Sequence, residues 1–119
     1  MDSVGAVVPA YQAATILRPT LAELTTRLPV VVVDDGSTDG TAEIAHQAGA
    51  WQVLRQDRRR GPGAAVHAGF SFLQEHHFEV GVVLDADGQM DVDALDHLLS
   101  PLRKGQAALV RGSRFEPES

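Results

Sequence analysis

The residues best suited to chemistry in this chain are carboxylates that directly follow apolar runs. Asp85 and Asp87 stand two positions apart in Asp-Ala-Asp-Gly-Gln, and Gln89 adds an amide oxygen close by. Such hard oxygen ligands suit Mg²⁺ or Mn²⁺. Aspartate and glycine are also ordinary turn residues, so a simple turn is the alternative interpretation. The first interpretation predicts a divalent metal site formed by Asp85, Asp87 and Gln89.

A second acidic group, Asp34 and Asp35, opens the segment Asp-Asp-Gly-Ser-Thr-Asp-Gly after four consecutive valines. Paired carboxylates at the end of a strand can accept hydrogen bonds from ribose hydroxyls or from a base N–H. The alternative is a capped turn, in which Ser37, Thr38 or Asp39 holds the start of the next helix. Both interpretations hold together if Asp39 or a hydroxyl caps the helix while the aspartate pair faces a ligand.

Three basic or glycine-rich features have the composition of an anion site. Gly61-Pro62-Gly63 precedes a predicted helix, and a helix start of this kind can receive a phosphate, although a tight turn explains the same residues. The run Arg58–Arg60 comes just before it, with a solvated surface as the alternative to anion binding. Arg114 follows the last predicted strand, where its permanent charge and paired donors would suit a diphosphate.

Short apolar runs alternate with helical patterns along the chain, which predicts the order βαβαβαβαβ. The expected strands are Val4–Val8, Val30–Asp34, Trp51–Arg55, Val80–Leu84 and Ala107–Val110. The expected helices are Ala13–Leu28, Thr41–Ala48, Ala64–His76 and Val92–Leu102. Pro19 predicts a kink or restart in the first helix. This alternation is typical of an α/β fold, with a parallel sheet, helices on both faces and right-handed crossovers.

A parallel sheet would gather the acidic and basic segments, because ligands bind beyond the carboxyl ends of its strands. The loops expected at that edge follow Val8, Val33, Arg55, Leu84 and Val110. An anionic ligand there would meet the two carboxylates of the Asp-Ala-Asp segment, and each unit charge pair at about 4 Å costs about 4 kcal/mol at an effective dielectric of 20. A divalent cation between them reverses the sign, so an anionic ligand at this edge implies a metal.

Composition limits the classes of protein to consider. The chain has 119 residues, a formal net charge of −6 and no cysteine. This length predicts one domain over residues 1–119. The acidic excess disfavours a nucleic acid or an anionic membrane as the main partner. The lack of cysteine excludes disulfide and thiolate chemistry, and no leader or membrane-spanning run is recognisable, so we expect a cytoplasmic domain.

Five motifs, in order along the chain, resemble those of the family 2 glycosyltransferases of GT-A fold. They are Val-Val-Pro-Ala-Tyr, Val-Val-Asp-Asp-Gly-Ser-Thr-Asp-Gly-Thr, Gly-x-Gly-Ala-Ala-Val-x-Ala-Gly, Leu-Asp-Ala-Asp-Gly-Gln and Arg-Gly-Ser-Arg-Phe. The match as a whole runs from Val4 to Phe115. The last two are most similar to the branch of dolichyl- and polyprenyl-phosphate hexose synthases. The resemblance implies metal-dependent transfer of a hexose from a nucleotide diphosphate sugar.

The resemblance also implies roles for individual residues. The implied donor-binding residues are Pro9, Ala10, Tyr11, Asp34, Asp35, Gly63, Asp85, Ala86, Asp87 and Arg114. The implied ligands of Mg²⁺ or Mn²⁺ are Asp85, Asp87 and Gln89. Asp34 or Asp35 would meet the base or ribose, and Arg114 would meet the diphosphate. No catalytic base is identified.

The chain departs from the family pattern in two loops. Gln12 and Ala13 stand where the family has Asn-Glu, which weakens the match at the nucleotide pocket. In the glycine loop, Arg59 and Pro62 replace the Asn and Lys that the family often has.

The chain also ends at Ser119, before the acceptor-binding half of such enzymes, so we expect a donor-binding half alone. The exposed edge left there predicts self-association into a homo-oligomer. The lipid-phosphate branch implies a polyprenyl phosphate acceptor, with the protein peripheral at the membrane. The alternative function is a truncated or non-catalytic module that binds nucleotide sugars.

Two other α/β classes fit the motifs less well. A receiver domain needs a lysine after its last strand, whereas Lys104 precedes that strand here. A haloacid-dehalogenase phosphatase carries Asp-x-Asp-Gly on its opening strand, whereas this motif follows the fourth strand here.

Overall fold

The computed structural model describes residues 4–86 and 109–111, which form a parallel sheet with helices packed against it. The strands are β1 (Val4–Ala10), β2 (Val30–Asp34), β3 (Gln52–Arg55), β4 (Val80–Val83) and β5 (Leu109–Arg111). The helices are α1 (Leu17–Leu24), α2 (Thr41–Gln47) and α3 (Pro62–Glu75). The strand order is β3-β2-β1-β4-β5, and all neighbours are parallel. The predicted α/β sheet is therefore confirmed, while the predicted helix Val92–Leu102 lies outside the described residues.

The valines of β2 explain why the sheet is covered on both faces. Val30–Val33 are all fully buried. The even-numbered valines share a core with Leu17 and Leu21 of α1, and the odd-numbered ones share a core with Ala65 and Leu73 of α3. A strand with apolar side chains in both directions needs helices on both sides, which is the arrangement of parallel sheets.

Two helices begin at other residues than predicted, and each has a proline in its first turn. The predicted break of a long helix Ala13–Leu28 at Pro19 was wrong, because α1 begins at Leu17 and Pro19 falls in its first turn. Helix α3 likewise begins at Pro62 rather than at Ala64. Backbone N–H groups in the first turn of a helix have no intrahelical partner, so proline is tolerated there.

Helix α3 lies close against the sheet because glycines stand at the contact. A Cβ atom added to Gly69 would overlap the side chain of Val7, and one added to Gly81 would overlap the ring of Phe70.

Within residues 4–86, no helix is long and apolar enough to cross a bilayer.

Candidate functional site

The structure brings most of the described candidate residues to one edge of the sheet, at the carboxyl ends of the strands. Ala10 at the end of β1 is in register with Asp34 at the end of β2, and Asp35 N–H donates to the Ala10 carbonyl at 2.9 Å. On the other side of β1, Asp85 follows the end of β4. Asp34, Asp35 and Asp85 therefore share this edge, which we call the carboxyl rim. The predicted residues Asp87, Gln89 and Arg114 lie outside the described part of the chain.

The Asp34 carboxylate is bound within the turn that begins at this residue. Its side chain is 1% exposed, and its Oδ1 accepts a hydrogen bond from Ser37 N–H at 2.9 Å. Its Oδ2 lies 3.9 Å from Nε of Arg55, at the end of the neighbouring strand β3. Asp34 thus holds the turn after β2 and offsets a nearby positive charge.

Asp35 fastens a second loop to the carboxyl rim. Its carboxylate is 3% exposed, with Oδ1 accepting from Arg60 N–H at 2.7 Å and Oδ2 accepting from Gly61 N–H at 2.9 Å. Next to it, Gly36 has a φ of 77°, and a Cβ atom there would lie 2.6 Å from the Arg58 carbonyl carbon. Only glycine combines that φ with so close an approach. The loop after β3 is therefore held flush against the turn after β2.

Gln12 and Ala13, two of the residues that depart from the family pattern, link the loop after β1 to the turn after β2. Gln12 has a left-handed φ of 51°, donates its N–H to Ser37 Oγ at 2.8 Å, and accepts from Thr38 N–H at 2.7 Å. Ala13 N–H donates to Thr41 Oγ1 at 3.0 Å. Sequence analysis missed these contacts. The only signals were the departures themselves and the hydroxyl-rich turn opposite them.

Asp39 links the same two loops. Its Oδ2 accepts from Ala14 N–H and its Oδ1 from Thr41 N–H, each at 3.1 Å, and the Thr41 hydroxyl also donates to Oδ1. The hydrogen bond from the Thr41 hydroxyl is the largest cause that lowers the pKa of Asp39, with the two backbone donors adding to it. The charged form of Asp39 is thus favoured at the start of α2.

Tyr11 presents an aromatic surface at the carboxyl rim. The Arg59 guanidinium carbon lies 4.1 Å from the centre of the Tyr11 ring, and Tyr11 is 41% exposed. This cation–π contact joins the loop after β1 to the loop after β3. The pair places a flat apolar ring and a fixed positive charge beside Asp35.

Asp85 differs from the other carboxylates in its surroundings. It is exposed, whereas Asp34 and Asp35 are buried. The peptides on either side are fixed: Leu84 N–H donates to the Val7 carbonyl at 3.0 Å, and the Ala86 carbonyl accepts from Thr20 Oγ1 at 3.0 Å. A hard oxygen ligand on a fixed backbone fits Mg²⁺ or Mn²⁺. Over residues 4–86 and 109–111, no three acidic, histidine or cysteine side chains cluster as a metal site.

Comparison with known proteins gives a family match over nearly the whole chain. The profile of the family "Glycosyl transferase family 2" matches residues 6–119. A glycosyltransferase from Mycobacterium tuberculosis is 39% identical over 113 residues, covering 95% of this chain and 49% of that protein. An undecaprenyl-phosphate mannosyltransferase from Micrococcus luteus is 37% identical over 118 residues, covering 93% of this chain and 48% of that protein. The chain thus spans about half the length of these curated relatives.

A solved structure with the same fold supports this match. Mannosyl-3-phosphoglycerate synthase from Rubrobacter xylanophilus superposes with a TM-score of 0.67 and 25% identity, over 84% of this chain and 36% of that one. The fold expected from the motifs, a Rossmann-like parallel sheet of GT-A type, is confirmed by this likeness.

Proposed function

This chain belongs to glycosyl transferase family 2, and on that basis we propose that it binds a nucleotide diphosphate sugar together with Mg²⁺ or Mn²⁺ and holds the hexose for transfer. Residues 1–119 form a single donor-binding unit in this proposal. The observation that carries it is the convergence of Asp34, Asp35 and Asp85 at the carboxyl rim, beside the exposed ring of Tyr11.

The nucleotide end of the donor would lie along Pro9, Ala10 and Tyr11. The exposed Tyr11 ring offers a stacking surface for a base, because stacked aromatic planes gain both dispersion and burial. A carboxylate has about four lone-pair positions, of which the two backbone donors to Asp35 use two. The remaining positions of Asp35 can accept from a base N–H or a ribose hydroxyl.

The diphosphate end would lie at Asp85, Ala86 and Asp87. The metal ligands in this proposal are Asp85, Asp87 and Gln89, whose oxygens suit a hard divalent ion. When bound, the ion acts as a Lewis acid that stabilises charge on the departing nucleotide diphosphate. Arg114 binds the diphosphate with its paired donors, and Gly63 lets a phosphate approach the start of α3 because its Cβ position is open.

We propose a polyprenyl phosphate as the acceptor, with the protein peripheral at the membrane. The support is the Micrococcus luteus relative, whose name gives undecaprenyl phosphate as the group it mannosylates. An acceptor phosphate is already an anion, so this transfer needs no strong base. A homo-oligomer belongs to the same proposal.

Calorimetry with UDP-glucose and GDP-mannose, each with and without Mn²⁺, tests donor binding directly. We expect one of the two to bind only when Mn²⁺ is present. Asp85→Asn and Asp87→Asn should each abolish the metal dependence, so that Mn²⁺ no longer increases the affinity for the nucleotide sugar. Glu23→Gln removes the same charge on the exposed face of α1 and should leave binding unchanged. If neither nucleotide sugar binds in the presence of Mn²⁺, the proposed function is wrong.

A transfer assay separates the two candidate functions. Donor binding accompanied by hexose transfer to polyprenyl phosphate supports the transferase. Donor binding without transfer to any lipid or glycan acceptor supports the nucleotide-sugar-binding module.

A further inference from the structure

We propose that Thr20 is a positioning residue for the metal ligand Asp85, acting through the backbone of Ala86. The Thr20 hydroxyl donates to the Ala86 carbonyl at 3.0 Å across 66 positions of sequence. This inference rests on the proposed function of Asp85 as a metal ligand, and it assigns to Thr20 a role that acts through that residue.

Thr20 is itself held firmly in place. It is 7% exposed and lies on the buried face of α1 together with Leu17, Leu21 and Leu24. Its side chain is β-branched, so few χ1 rotamers are open to it in a helix. A donor with a fixed position and direction can therefore fix the carbonyl that it binds.

The contact completes a clamp around Asp85. On its N-terminal side, Leu84 is 1% exposed and its N–H donates to the Val7 carbonyl at 3.0 Å. On its C-terminal side, Ala86 packs against the core and its carbonyl accepts from Thr20. The exposed Asp85 carboxylate thus extends from a backbone that is fixed on both sides by hydrogen bonds to β1 and α1.

A divalent ion requires its carboxylate ligand to keep a fixed direction. The carbonyl that Thr20 binds belongs to Ala86, the residue directly after Asp85, so this hydrogen bond limits rotation of the backbone that carries the Asp85 carboxylate. Loss of one hydrogen bond of this kind should weaken metal-dependent binding roughly fivefold to tenfold.

The test compares Thr20→Val with Thr25→Val in the full chain. Valine keeps the shape of threonine and removes the hydroxyl. Thr25 is a matched control, because its hydroxyl also donates to a backbone carbonyl, that of Leu21 at 2.8 Å, but at the other end of α1. Thr20→Ser keeps the hydroxyl and should restore the wild-type result, and Thr20→Ala replaces Thr20→Val if the latter does not fold.

Two measurements are made on each variant. The first is calorimetric affinity for Mn²⁺ in the presence of the nucleotide sugar, which should fall for Thr20→Val alone. The second is hydrogen exchange of the peptide covering residues 84–90 in the metal-free protein, which should become faster for Thr20→Val alone. Equal results for Thr20→Val and Thr25→Val in both measurements would overturn the role of Thr20.

The exchange measurement keeps this inference separate from the proposed function. If the wild-type chain binds no nucleotide sugar with Mn²⁺, the proposed function fails, and with it the link to metal binding. If the wild type binds but Thr20→Val binds equally well and exchanges at the wild-type rate, only the positioning role fails.

Discussion

At the scale of single residues, the three carboxylates of the carboxyl rim have different surroundings and therefore different uses. Asp34 and Asp35 are buried, and their carboxylate oxygens accept hydrogen bonds from backbone N–H groups of the same chain. Asp85 is exposed, and hydrogen bonds hold the backbone on either side of it. A buried carboxylate without partners is costly, so the first two are part of the scaffold whether or not they also meet a ligand.

Replacement of Asp35 should destabilise the fold more than replacement of its exposed neighbour Asp57. In Asp35→Asn, the side chain keeps one acceptor oxygen, and its NH₂ group faces a backbone N–H that then has no acceptor. The free energy of unfolding should therefore fall by about 1–3 kcal/mol. Asp57 is 80% exposed in its contact with Arg60, so Asp57→Asn should change stability by less than about 0.5 kcal/mol. Urea unfolding measures both, and equal stabilities would contradict the fastening role of Asp35.

Asp39 should make stability depend on acid pH. Its pKa is lowered in the folded chain, mainly by the hydrogen bond from Thr41. The stabilisation is therefore fully present above the pKa of Asp39 in the unfolded chain and is lost as pH falls through the lower pKa of the folded chain. Acid unfolding followed by circular dichroism should show a shallower decline below about pH 4 for Asp39→Asn than for wild type. Parallel declines would show that the Thr41 contact does not favour the charged form.

At the scale of secondary structure, most of the fold could be predicted because strand signals are local. Four valines in a row predict a strand buried on both faces, and Val30–Asp34 has the predicted bounds. The start of α1 was missed because the periodicity of apolar residues continues upstream of Leu17, into residues that the structure forms as turns. The parallel sheet expected from the alternation of strands and helices predicted which loops meet at the carboxyl rim. Gln12 and Thr20 contact residues that are far away in the sequence, so no local sequence pattern could predict these hydrogen bonds.

The packing of α3 on the sheet provides a prediction with an internal control. Gly69→Ala places a methyl group against Val7, and such overpacking costs about 1–3 kcal/mol, more than the roughly 1 kcal/mol that alanine gains in helix propensity. Gly63→Ala adds the same methyl group in the first turn of the same helix, where nothing lies within 4 Å. We expect thermal unfolding at a lower temperature for Gly69→Ala and at an equal or higher one for Gly63→Ala. A stable Gly69→Ala would show that α3 can move away from the sheet.

At the scale of the whole molecule, the two ends of the sheet are chemically distinct. The carboxyl rim gathers acidic, basic and glycine residues, whereas the opposite end carries an aromatic group formed by Trp51, Phe72, Phe78 and His76. Trp51 precedes β3, and its N–H donates to the carbonyl of Val30 at the first residue of β2. The length of β2 separates the two ends by about 13 Å, at about 3.3 Å per residue.

Because Trp51 is the only tryptophan, its fluorescence reports on the end away from the proposed site. The centre of its ring lies 5.5 Å from the centre of the Phe72 ring and 5.3 Å from that of the Phe78 ring. Unfolding in urea should separate these rings, expose Trp51 further and so change its emission. Addition of Mn²⁺ and the nucleotide sugar should leave that emission unchanged, since the ligands bind at the carboxyl rim. Tyr11→Trp in a Trp51→Phe background moves the probe to the rim, where the same ligands should quench it. A donor-induced change at Trp51 with none at position 11 would place binding at the wrong end of the sheet, and the acidic rim would then have no part in holding the donor.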